Sequence, residues 1–130
     1  MTHAPAPGRI GWVDLTLPDV HGQDASTLRD FYVAVAGVTA EPLDMGGYPD
    51  FVLKASDGEP VAGVCHARGT NADQPHGWMV YFVVRDLAAA RAEALRRGAT
   101  VLHDRGAPGA AHRFCVIRDP SGAVCALYQV

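Results

Sequence analysis

The side chains that could carry chemistry are few and scattered. Cys65 and His66 stand side by side; Asp14 lies in an early apolar run, and Arg113 and Cys115 lie in a late one. His103 and His112 flank a loop that reads DRGAPGAA, and the other histidines are His3, His21 and His76. No pair has the HxH or HExxH spacing that turns two imidazoles toward one metal ion. The cysteines are Cys65, Cys115 and Cys125, an odd number with no CxxC pair, so neither a disulfide framework nor a zinc knuckle is indicated. Unless its pKa is depressed, a buried thiol is small apolar filling rather than a nucleophile. GxGxxG, GxxxxGK[ST] and GxSxG are absent. One composite arrangement stays open, in which Asp14 and His112 join either His66 or Cys65 around an ion or a transferable proton.

These residues sit in a chain of 130 with a net charge of −3, 48% hydrophobic and 19% charged. That length suits one domain, which needs no covalent staple. The charge gives no reason to expect nucleic acid or an anionic membrane as a partner. No run approaches the ~18 apolar residues of a membrane span. The opening MTHAPAPGR lacks a basic stretch followed by an apolar one, so it reads as a loose tail and the expected location is cytoplasmic.

The elements that must position the chemistry come in two similar sets. IGWVDLTL at residues 10–17 reads as a strand. A helix follows, with Leu28, Phe31, Tyr32 and Val35 at helical spacing, Asp24 or Ser26 as its cap and Gly37 at its end. Short strands are expected near 39–43, 50–55 and 60–66, with turns at Gly46-Gly47 and Asp57-Gly58. After a polar stretch the pattern restarts. Residues 78–84 form a strand, Asp86 caps a helix that ends at Gly98, and a strand near 100–103 leads through the Gly/Pro/Ala loop to a closing hairpin. VDLTLPD and VYFVVRD lie 67 positions apart, each followed by a helix and a glycine. The fold class is therefore α+β: two tandem βαβββ modules forming curved mixed sheets around a central cavity, with helices outside. We expect one domain over 1–130, with module one at about 10–66, a linker at about 67–76 and module two at about 77–130.

The strand ending in LPD, the helix containing RDFYVAVAGV, the run VVRDLAAARAEALRRGATV and the hairpin RDPSGAVCALYQ resemble the vicinal oxygen chelate superfamily. That superfamily includes glyoxalases, bleomycin-resistance proteins and extradiol dioxygenases. The resemblance implies paired βαβββ modules, a homodimer, and a divalent metal held by His, Glu or Gln from four strands. The positions that correspond to those ligands are Trp12, Gly63, Met79 and Ala126. None is a ligand for a hard or borderline divalent ion, so no metal and no cofactor are expected.

Strand alternation gives the side chains that face inward. They are Trp12, Asp14 and Thr16 from the first strand, Gly63 and Cys65 from the fourth, and Met79, Tyr81 and Val83 from the fifth. With Arg118 opposite Ala123, the closing hairpin adds Arg113, Cys115 and Ile117 beside Val124, Ala126 and Tyr128, and turns Cys125 toward the helices. The candidate ligand-binding set is therefore Trp12, Asp14, Cys65, Met79, Tyr81, Arg113, Cys115 and Tyr128. A mostly apolar list with a few polar handles suits a flat or aromatic organic molecule. The loop RGAPGA is expected to act as a lid. Two alternatives remain. One is a metal-dependent lyase, isomerase or dioxygenase with ligands shifted to Asp14 and His66, binding one divalent ion. The other is an assembly module whose concave face is filled by its own side chains.

Overall fold

A computed structural model describes residues 5–18, 24–68, 72–105 and 113–129. The elements follow the doubled order: β1 (Ile10–Leu17), α1 (Ala25–Ala36), β2 (Thr39–Asp44), β3 (Pro49–Lys54), β4 (Pro60–His66), then β5 (Gly77–Val83), α2 (Leu87–Arg96), β6 (Thr100–Arg105), β7 (Arg113–Arg118) and β8 (Val124–Gln129). The chain forms two compact units, one from Val13 to Trp78 and one joining the segment up to Trp12 with Met79 onward.

In the Val13–Trp78 unit the strand order is β2-β3-β4-β1. β1 and β4 run parallel with Asp14 opposite Gly63 and Thr16 opposite Cys65. Local chemistry starts and stops α1. The Asp24 carboxylate accepts from the Thr27 N–H at 2.9 Å, and Gly37 takes the left-handed conformation (φ 71°) that a side chain would resist. Leu15, Leu17, Ala25, Phe51, Leu53, Ala62 and Val64 form the core, with Leu28 and Tyr32 packed on it. The buried stripe of α1 is thus Ala25, Leu28 and Tyr32. Phe31 and Val35, expected on that stripe from their spacing, are 51% and 67% exposed. The stripe is narrower than the four apolar positions suggest, and Phe31 rests edge-on against Tyr32, at 5.0 Å and 86°.

In the other unit the order runs from the start of β1 to β5, β8, β7 and β6. β5 and β8 are parallel with Tyr81 opposite Ala126. The Asp14–Gly63 and Tyr81–Ala126 pairs are the same step in the two repeats, since Asp14 and Tyr81 are also 67 positions apart. Asp86 caps α2 through the Ala89 N–H at 3.0 Å. Side chains cluster on both faces of this sheet. Leu87, Cys115 and Ile117, with Cys125 and Leu127 packed on them, lie beneath α2. Met79, Tyr81, Val116 and Ala126, with Trp12, Phe114 and Tyr128 packed on them, lie on the opposite face.

The hairpin register differs from expectation by one residue. Arg118 pairs with Val124 and Cys115 with Leu127, not with Ala123 and Ala126. The turn explains the shift. The Asp119 N–H donates to the Ala123 carbonyl at 2.8 Å, leaving a three-residue loop, Pro120 to Gly122, with Gly122 at φ 95°. The Asp119 carboxylate braces that loop by accepting from the Ser121 N–H at 2.7 Å, the Ser121 hydroxyl at 2.6 Å and the Ala123 N–H at 3.1 Å. A left-handed glycine closing a three-residue loop is a stable hairpin solution, and the extra residue turns every β7 side chain over. Cys115 and Ile117, expected beside Ala126 and Tyr128, therefore point at α2, and Arg113 shares their face. Phe114 and Val116 take the places expected for them.

Candidate functional site

The face of the Val13–Trp78 unit opposite α1 carries the polar candidates. Leu15, Leu17 and Val64 pack under the helix, so alternation turns Asp14, Thr16, Gly63 and Cys65 the other way. Asp50, whose side chain is 4% exposed, joins them. Its Oδ1 accepts from the His66 N–H at 2.9 Å and lies 3.5 Å from His66 Nδ1, itself buried with no hydrogen-bond partner among the described residues. The Tyr48 ring meets the imidazole edge-on at 5.6 Å. Burial, reinforced by the charges of Asp14 and Asp50, pushes the Cys65 thiol far above its ordinary range. Cys65 is therefore a neutral thiol at physiological pH, with none of the thiolate that nucleophilic attack requires. Among the described residues no group of three or more His, Cys, Asp or Glu is arranged to hold a metal ion. Asp50 escaped the sequence reading. Its one signal was a lone carboxylate opening the otherwise apolar run DFVL.

The unit that includes β5 to β8 carries the aromatic candidates. Trp12, Met79, Tyr81 and Tyr128 share the face opposite α2, as alternation requires, and Phe114 joins them through the shifted register. Tyr81 stands edge-on to Phe114 at 5.6 Å and to Tyr128 at 6.0 Å. Met79 and Tyr81 are 4% and 8% exposed, while Trp12 and Tyr128 are half-buried. Burial raises the Tyr128 hydroxyl above its ordinary pKa, so it stays a neutral donor. Tyr128 lies across Gly11, where a Cβ would come within 2.0 Å of its hydroxyl oxygen. Only glycine leaves the ring this seat.

Arg113 and Cys115 lie on the α2 side of this unit. Cys115 is fully buried, and burial first, then the Asp104 carboxylate, lifts its thiol to about 11. His76 is exposed and His103 half-buried. His3, His21, His112 and all of the expected lid RGAPGA except Arg105, which ends β6, lie outside the described residues.

Doubled βαβββ order with matching parallel registers defines the fold of the vicinal oxygen chelate proteins. A family model described as a glyoxalase-like domain matches residues 18–128, and the chain belongs to that family. It is 31% identical over 136 residues to the anthracycline biosynthesis protein DauV of Streptomyces sp. (strain C5), covering 95% of this chain and 48% of that one. The chain thus spans about half the length of that curated relative. In fold it is similar to Streptomyces coelicolor methylmalonyl-CoA epimerase in complex with 2-nitronate-propionyl-CoA, with a TM-score of 0.55, 21% identity and 95% and 98% of the two chains covered. It is also similar to the Mn(II)-bound glyoxalase from Novosphingobium aromaticivorans, with a TM-score of 0.58, 17% identity and 95% and 39% covered.

The metal of that superfamily can be tested against the residues in place. Trp12, Gly63, Met79 and Ala126 stand at the positions that the family resemblance assigns to its ligands. They offer an indole, a thioether and two side chains without heteroatoms. Met79 and Ala126 are buried in an apolar cluster. This set does not fit a hard or borderline divalent ion. No helix is long and apolar enough to cross a membrane among the described residues.

Proposed function

We propose that this glyoxalase-like protein binds a small, flat or aromatic organic molecule on the face formed by Trp12, Met79, Tyr81 and Tyr128, without the superfamily's divalent ion. One observation carries the reading: indole, thioether and phenol groups occupy the side of β1, β5 and β8 where the family resemblance puts chelating groups. Aromatic rings with two hydroxyl handles, Tyr81 and Tyr128, favour flat apolar ligands, through offset or edge-on ring contacts. The homodimer that the family resemblance implies is part of the same proposal.

The test titrates protein dialysed against a chelator with flat aromatic compounds, following tryptophan fluorescence and thermal unfolding. A saturable response that Tyr81→Ala weakens at least tenfold is expected. No response to any flat compound, or one that needs an added divalent ion, would overturn the reading. The oligomeric state is read by light scattering, and a monomer at all concentrations would contradict the dimer.

A further inference from the structure

The unit holding β5 to β8 also contains a cavity of about 230 Å³ beside α2, which shares only Phe114 with the aromatic face and does not touch the Asp50 cluster. Its lining includes Ala88 and Arg91 from α2, Asp104 and Arg105 from β6, and Arg113 and Phe114 from β7. Three arginines and one aspartate thus line one cavity, in a chain whose net charge is −3. That carboxylate is committed: Arg91 Nε donates to Asp104 Oδ1 at 2.9 Å and Arg91 Nη2 to Oδ2 at 3.0 Å. The two-point contact fixes Arg91 as part of the wall. Arg105 Nη1 donates to the Asp104 backbone carbonyl at 3.2 Å, which holds it along the same strand. The Nε of Arg113 is buried and has no hydrogen-bond partner among the described residues. A buried donor left without an acceptor costs about 1–3 kcal/mol, so a native site that retains one is best explained by an acceptor supplied from outside.

We propose that this cavity binds a small oxyanion, a carboxylate or phosphate group, through Arg113 and Arg105. Guanidinium groups match both in a forked geometry that ammonium groups cannot reproduce. The first turn of α2 contributes Leu87 and Ala88 to the lining, but its Leu87 and Ala89 N–H groups are already committed to Gln129 and Asp86, so the anion must be held by the arginines. The volume falls below the ~300–1,000 Å³ of drug-sized sites, which restricts the ligand to a small anion or the anionic end of a larger molecule. The arginines of this site are absent from the aromatic face, so either proposal can fail without the other.

The experiment measures thermal unfolding and calorimetric binding of the full chain with sodium phosphate, and separately with sodium acetate, at an ionic strength held constant with sodium chloride. The expected result is a saturable rise in unfolding temperature with at least one of the two anions. Arg113→Met and Arg105→Met each weaken that response at least tenfold, and Arg118→Met, on exposed Arg118, leaves it unchanged. Should Arg113→Met fail to fold, Arg105→Met carries the same requirement. The anion that gives the stronger response distinguishes a phosphate site from a carboxylate site. No saturable response to either anion, or one that survives in both the Arg105 and Arg113 variants, overturns the proposal.

Discussion

Replacing Gly11 by alanine puts one methyl group where Tyr128 already lies. The new Cβ would meet Tyr128 Oη at 2.0 Å, Tyr128 Cζ at 2.9 Å and Val83 Cγ2 at 2.8 Å. Unstrained heavy-atom contacts lie near 3.5 Å, so the hydroxyl must withdraw by about 1.5 Å. Moving it that far drags the ring off Tyr81, whose edge-on contact is worth about 0.5–1.5 kcal/mol, and overpacking of this kind costs about 1–3 kcal/mol in itself. Against this, alanine gains up to about 1 kcal/mol over glycine inside a strand. The net expectation is a loss of about 2 kcal/mol. Urea unfolding reads it as a lower midpoint with an unchanged slope. The cycle with Tyr128→Leu, which removes Cζ and the hydroxyl, isolates the cause. In that background Gly11→Ala is close to neutral, with only the Val83 tip to displace, giving a coupling of more than about 1 kcal/mol. Equal costs in the two backgrounds would refute the seating of Tyr128 on β1, and with it the aromatic face.

Four further outcomes follow from the same geometry. Asp50→Ala leaves the buried His66 N–H without its 2.9 Å acceptor and lowers stability by about 1–3 kcal/mol, with Asp50→Asn recovering part of it, by chemical denaturation. Native Cys115, with its thiol lifted to about 11, is alkylated by iodoacetamide at pH 8 about a hundredfold more slowly than the same thiol in urea; equal rates would contradict its burial. Hydrogen bonds from Ser121, then from the Ala123 and Gly122 amides, hold the Asp119 carboxyl below its ordinary value. Its stabilising contribution is therefore full above the unfolded carboxylate value and is lost as pH falls through the lower folded value; in Asp119→Ala that part of the acid dependence disappears. Trp78→Phe removes the 3.1 Å donor to Tyr32 and loosens the exposed end of α1, read as faster amide exchange there with little change in global stability.

Much of the architecture was legible because it rests on short-range rules. Asp24 and Asp86 cap their helices where a carboxylate precedes an apolar run, and the 67-residue offset reappears as two equivalent parallel pairings. Trp12, Met79, Tyr81 and Tyr128 lie opposite α2, and Asp14 and Cys65 opposite α1, as strand parity requires, since a buried strand cannot slip by one residue without turning its apolar set out. The same rule made one turn decisive. Asp119-Pro120-Ser121-Gly122 also fits a four-residue turn, and only the brace from Asp119 to Ala123 selects the three-residue loop that exchanges Cys115 for Phe114. Asp50 and His66 meet through pairing between β3 and β4, and the cavity around Arg113 needs α2, β6 and β7 together, so neither leaves a mark in local spacing. Phe31 and Val35 show the limit of periodicity: it sets the spacing of an apolar stripe but not how much of it the sheet can cover.

The most direct measurement is the metal content of the purified chain after equilibration with nickel, zinc, iron and manganese salts and removal of free ions, by elemental analysis. The account predicts well under one ion per chain, with binding of flat aromatic compounds unaffected. One tightly held divalent ion per chain, lost on substitution of Asp14 or His66, would contradict it.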